Sequence, residues 1–181
     1  GGVGASIRNN NGANINVTNS LFEANRKSSS TGNYGAGIYN NGTATIINST
    51  FQKNYARWGT ITNDKQLTII NSTIRDNIAY DGSSTYKTGS GITINTGSTN
   101  FYEQNNSTDK ITTIIDGCTF TNNDQLDIYA DTGVTTIKNN IFNKSTGINS
   151  FNGNQNITFN FINNTFDSPI GSSIYTSLSS S

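Results

Sequence analysis

The chemistry open to this chain is bounded first by a residue it lacks: there is no histidine among its 181 residues. Without an imidazole there is no Ser-His-Asp or Cys-His relay and no His-based metal centre. Carboxylates and one thiol remain. Asp109, Asp116, Asp124, Asp127 and Asp131 gather in the second half of the chain. Two facing carboxylates would suffice to hydrolyse a glycosidic bond, but no column of the sequence pattern sets one of these acids above another. They read as solvated corner acids. Asp124 and Asp127 could contribute to an incidental cation site, but their spacing is not diagnostic of one. At the N-terminus, Gly1-Gly2-Val3-Gly4 begins like a calcium-binding nonapeptide, yet Ser6 stands where that motif needs Asp. No metal or other cofactor is expected. Cys118 is the single cysteine, so no intrachain disulfide can form; with no histidine to activate it, it reads as a small corner residue.

Binding chemistry is better represented than reactive chemistry. Large side chains recur between one Asn-closed segment and the next Gly-rich one: Arg26, Lys27 and Tyr34, then Tyr55, Arg57 and Trp58, then Tyr80, Asp81, Tyr86 and Lys87. Flat aromatic faces beside hydrogen-bond donors suit sugar rings or a protein partner. Tyr34, Tyr55, Arg57, Trp58, Tyr80 and Tyr86 are therefore the candidate ligand-binding residues. The competing reading is that Trp58 and some of the tyrosines cover the core where the chain turns. Phe101, Tyr102 and Glu103 belong to a different insertion.

These residues need a scaffold that returns the chain repeatedly to the same edge. Gly35 to Asn54, GAGIYNNGTATIINSTFQKN, is one unit of such a scaffold. Equivalents of its Phe51 are Phe22, Ile74, Phe120, Phe142 and Phe166. Five residues before each anchor stand Val17, Ile46, Ile69, Ile115, Ile137 and Phe161; three before stand Asn19, Asn48, Asn71, Gly117, Asn139 and Asn163. Two before come Ser20, Ser49, Ser72, Cys118, Asn140 and Asn164. A closing Asn follows at Asn25, Asn54, Asn77 and Asn123, then lapses at Ser145 and Pro169. The basic period is 22 to 24 residues, and longer intervals carry inserted loops.

A period in the twenties marks a stacked array whose units cannot bury their apolar sides alone. Asn, Thr, Ser, Gly and β-branched residues dominate, which excludes helical repeats. Only four leucines occur, which excludes a leucine ladder. Asn11-Gly12 and Asn41-Gly42 are hairpin signals that an antiparallel sandwich could use, but a sandwich gives no reason for six aligned corners. The expected fold is all-β, a parallel β-helix of about six to seven rungs. It forms a single domain over 1–181 with insertions at 79–90 and 98–110. In such a coil the apolar columns point inward, and Asn at a corner tolerates left-handed backbone geometry.

A formal charge of zero argues against nucleic-acid binding, and no apolar run is long enough to span a membrane. A chain that begins with Gly and has no Met is expected to be a processed or excised piece of a longer one.

GAGI at Gly35–Ile38 followed by FQKN at Phe51–Asn54 resembles the paired GGA(I/L/V) and FxxN repeats of polymorphic outer-membrane-type proteins. NGTATIINSTFQKN and TIINSTIRDN resemble more closely the adhesin-like surface proteins of methanogenic archaea. The resemblance covers about residues 4 to 167 and departs after Asn123, where the closing Asn disappears. It implies a right-handed β-helix at the cell surface or outside the cell. There the chain would display binding loops to a glycan or protein on a host or neighbouring cell, without catalysis. Asn105 and Asn106 are the most accessible glycosylation sequons if the chain is exported. Two alternatives share the scaffold. One is a polysaccharide-active lyase or hydrolase or a viral tail spike, although the carboxylate-pair and Gly-His-Gly signatures of polygalacturonase-like enzymes are missing. The other is a structural subunit that self-associates end to end in a surface fibre.

Overall fold

The computed structural model describes residues 6–26, 35–56, 58–79, 89–94, 111–150, 157–170 and 174–176. Every strand pairing among them is parallel and joins one rung to the next, so the chain is a parallel β-helix. The first face has seven strands: Ile7–Asn9, Ile38–Asn40, Ile61–Asn63, Gly89–Ile94, Leu126–Ala130, Ile148–Ser150 and Ile174–Thr176. The second has six: Asn14–Thr18, Thr43–Ile47, Gln66–Ile70, Thr112–Asp116, Gly133–Lys138 and Ile157–Ile162. The third has six shorter ones: Leu21–Glu23, Thr50–Gln52, Thr73–Arg75, Thr119–Thr121, Ile141–Asn143 and Thr165–Asp167.

Alternation of side chains along a strand sends one column of each face inward. On the first face every member of that column is isoleucine: Ile7, Ile38, Ile61, Ile92, Ile128, Ile148 and Ile174 are register partners in turn. The second face contributes Val17, Ile46, Ile69, Ile115, Ile137 and Phe161, and the third contributes the Phe51 column. Phe22 stacks on Phe51 with ring centroids 4.5 Å apart, and Phe120, Phe142 and Phe166 stack at 4.9 and 4.8 Å. Ile74 interrupts the stack between them. The anchors and inward columns thus fall where the period places them, and only Phe161 and Ile174, in the last rungs described, are exposed, at 37% and 44%.

Corners explain the rest of the pattern. Asn19, Asn48, Asn71, Gly117, Asn139 and Asn163 all have positive φ, between 49° and 64°. A single left-handed residue turns the chain from the second face to the third, and Asn and Gly adopt that conformation at least cost. The residue after it points inward and links rungs. The Ser20 amide donates to Ser49 Oγ, Ser49 N to Ser72 Oγ, Ser72 N to Cys118 Sγ, Cys118 N to Asn140 Oδ1 and Asn140 N to Asn164 Oδ1. Cys118 therefore serves as one more small acceptor in a serine column, and burial pushes its thiol up to about 11.

Neither Asn-Gly pair forms a hairpin. Both lie at the corner between the first and second faces, in a wholly parallel arrangement. Gly42 is required there by close backbone approach, since a Cβ would lie 2.3 Å from the Ala13 carbonyl oxygen.

Candidate functional site

The corner after the third face is where the sequence places an aromatic edge, and it is built in two layers. Inside runs a ladder. Asn25 Nδ2 donates to Asn54 Oδ1 at 2.9 Å, Asn54 Nδ2 to Asn77 Oδ1 at 3.0 Å and Asn77 Nδ2 to Asn123 Oδ1 at 3.0 Å. Each Oδ1 also takes a backbone N–H from the rung before it. Buried backbone groups at a bend need partners, and this ladder supplies them. Outside it, Tyr55–Ala56 pairs with Ile78–Ala79, and Arg26 bridges to Tyr55, so Arg26, Tyr55 and Ile78 form one file over three rungs. The Arg26 guanidinium sits 4.7 Å from the Tyr55 ring centroid, a cation–π pair.

Of the candidate binding residues, Tyr55 is half-buried on this file. Trp58 is 5% exposed and lies outside the apolar core cluster, so its indole is covered and presents no open face to a ligand. Tyr34, Arg57, Tyr80 and Tyr86 lie outside the described residues, as do Asn105 and Asn106.

The acids divide by environment. Asp109 is outside the described residues. Asp116 accepts from Asn139 Nδ2 at 2.8 Å and meets Lys138 Nζ at 3.1 Å, which together hold its carboxyl below the usual range. Asp124 is exposed and accepts the Ala79 amide. Asp127 corrects the expectation of a solvated acid: it is fully buried and accepts from Asn123 Nδ2 and Ser145 Oγ. Burial pushes it up to about 6 against the pull of those two bonds. Asp131 is also pushed up to about 6 by burial, opposed by a bond from Tyr129.

Asp64 and Asp131 occupy equivalent corner positions. The Asp64 amide bonds to the Asn40 carbonyl and the Asp131 amide to the Ile94 carbonyl, and Tyr39 Oη donates to Asp64 Oδ2. This places one acid above another in a column, with a rung between them, which the sequence pattern had not indicated. A glycosidase would need a sugar to lie between them, but Thr62 and Thr93, the outward residues on that stretch, are fully buried. Among the described residues no group of three His, Cys, Asp or Glu side chains gathers to hold a metal.

A surface feature not read from the sequence lies at the other end of the rung. A groove of about 400 Å³ runs along the corner between the first and second faces, lined by Asn11, Asn14, Thr43, Lys65, Gln66 and Thr112. Gly42 contributes a stretch without a side chain. Lys65 Nζ reaches across two rungs to Asn11 Oδ1 at 2.8 Å. The lining is amide, hydroxyl and ammonium, a set that binds polar ligands and lacks a nucleophile–base pair. Comparison with known proteins found no matching family model, curated protein or solved structure.

Proposed function

We propose that this chain is a segment of a cell-surface or extracellular β-helix that works without catalysis, as a stiff scaffold presenting recognition groups to a glycan or protein on another cell. The observation that carries the reading is the file Arg26–Tyr55–Ile78. The ladder beneath it holds three rungs in register, and a cation–π pair sets an aromatic ring and a guanidinium side by side on the outside. Rigid aromatic and arginine groups concentrate contact energy at low entropic cost. The two carboxylates of the first face, with a fully buried surface between them, give no support to the polysaccharide-cleaving alternative.

The proposal is tested by binding to glycan arrays and to intact cells, comparing the chain with a Tyr55→Ala, Tyr80→Ala, Tyr86→Ala variant. Loss of binding in a variant that unfolds at the same temperature supports the edge. Equal binding by both moves recognition elsewhere, and no binding by either contradicts the adhesive reading.

A further inference from the structure

We infer that Asn11 is a site of self-modification: the amide nitrogen of Gly12 converts it, through a cyclic succinimide, to aspartate and isoaspartate, and Lys65 promotes the step. The described residues hold two Asn-Gly pairs, Asn11-Gly12 and Asn41-Gly42, at equivalent corners of neighbouring rungs. Sequence alone gives them the same reactivity. The fold separates them.

At the first pair the corner is a turn closed by the Ala13 amide on the Asn10 carbonyl at 3.0 Å, with Asn11 and Gly12 at its tip. Both residues are exposed, and a Cβ built on Gly12 would meet no atom within 4 Å. The ring therefore has room to form, and solvent hydroxide has access to the Gly12 N–H. Lys65 Nζ donates to Asn11 Oδ1 at 2.8 Å. That oxygen gains negative charge when the Gly12 nitrogen attacks Cγ, and an ammonium in contact stabilises the charge as it develops. At the second pair Gly42 is buried and its N–H donates to Asn40 Oδ1 at 3.2 Å. A Cβ there would lie 2.3 Å from the Ala13 carbonyl oxygen and 2.7 Å from that of Asn10. A nitrogen so covered and bonded reaches the neighbouring Cγ only when the rung opens locally.

The chemistry balances with water alone. The Gly12 nitrogen gives its proton to hydroxide and bonds to Asn11 Cγ, and the side-chain nitrogen leaves as ammonia. Water then adds to one ring carbonyl and breaks its bond to the ring nitrogen, which regains a proton. Opening at Cγ leaves aspartate; opening at the backbone carbonyl leaves isoaspartate, with the chain running through Cγ. Either product sets a carboxylate at the groove, beside the register partners Asn14, Thr43, Gln66 and Thr112, and lowers a formal charge of zero by one. The surface that the chain presents thus changes once, in one direction, with age.

The test is peptide mapping by mass spectrometry after incubation of the folded chain at pH 8, with isoaspartate measured by enzymatic methylation. Lys65→Met is treated in the same way, and both chains are also incubated in concentrated urea. Asn11 is expected to convert at least tenfold faster than Asn41 in the folded chain, and the two rates to converge in urea. Lys65→Met should slow Asn11 severalfold in the folded chain and leave it unchanged in urea. The Asn41 rate in the folded variant reports whether its rung has loosened, so a folding defect is read separately from the loss of the ammonium. Equal rates at the two pairs in the folded parent chain overturn the inference, as does an Asn11 rate that Lys65→Met leaves unmoved.

Discussion

Asn123 donates its Nδ2 hydrogen to Asp127 Oδ1 at 2.7 Å, and with that bond the asparagine ladder ends. The ladder has a polarity. Every Asn from rung one onward gives an amide hydrogen to the Oδ1 of the next rung, so a residue that both accepts and donates can extend it. A carboxylate only accepts. Asp127 takes a hydrogen from Asn123 on one side and from Ser145 on the other, and the closing Asn that recurs through Asn123 is replaced beyond it by Ser145. The lapse in the sequence pattern is therefore a terminus with a chemical cause.

That terminus makes stability depend on pH. Asp127 is raised in the folded chain to about 6, above its ordinary value of 3.8. The folded state thus holds the proton more tightly than the unfolded state. The resulting stabilisation is complete below about pH 4 and is lost as pH rises through about 6. Asp131 adds a dependence of the same sign. Asp127→Asn should be more stable than the parent at pH 7, by at most about 3 kcal/mol, and should flatten part of the decline in melting temperature between pH 4 and 7. A decline identical to the parent's would contradict the role given to Asp127.

Asn77→Ala should be among the costliest single changes. Asn77 is fully buried; its Oδ1 accepts the backbone and side-chain N–H of Asn54, and its Nδ2 donates to Asn123 Oδ1 and to the Phe51 carbonyl. Removal strands several buried polar groups at once, at a cost of about 3–5 kcal/mol. Urea unfolding measures it, and a loss below ~1 kcal/mol would mean that water restores the ladder.

A second left-handed corner follows every third-face strand, at Ala24, Lys53, Asp76, Asn122, Lys144 and Ser168, with φ between 49° and 55°. A Cβ in this conformation costs about 1–2 kcal/mol. Ala24→Gly should therefore stabilise the chain by up to ~1 kcal/mol after the entropic cost of glycine is subtracted. A lower midpoint in urea would show that the Ala24 side chain contributes more than its strain costs.

Cys118→Ser should leave stability within about 1 kcal/mol, because serine fills the same column at three rungs and Ser72 N would bond to an oxygen instead of a sulfur. The native thiol, buried and raised to about 11, should resist alkylation by iodoacetamide at pH 8 until the chain unfolds. Rapid labelling of the folded protein would contradict its placement.

The contrast between the two left-handed corners shows why part of the fold was legible. Asn19, Asn48 and Asn71 announce theirs because Asn is the non-glycine residue best suited to it. The other corner is occupied by Ala, Lys, Asp, Asn and Ser, imposed by closure of the rung against residue preference, so no column of types betrays it. A ladder on the first face was hidden for another reason. Asn9 Nδ2 donates to Asn40 Oδ1 at 2.8 Å and Asn40 Nδ2 to Asn63 Oδ1 at 2.7 Å. The corner between Asn9 and Asn14 is longer than the Asn41-Gly42 corner, which shifts Asn9 out of phase with the Phe anchors.

The binding surface was harder to read than the scaffold. Trp58 and Tyr55 look alike in sequence, and only the path of the chain at the bend buries one and half-exposes the other. The groove file mixes Asn14, Thr43, Gln66 and Thr112, which share hydrogen-bonding capacity without sharing a residue type. Strand register is what aligns them.

Retention of the chain on immobilised cell-surface glycan and protein, with the eluate analysed for released oligosaccharide, tests surface recognition without catalysis most directly. Saturable retention and no release of product over many hours is expected. Release of oligosaccharide, or passage through the column without retention, would contradict it.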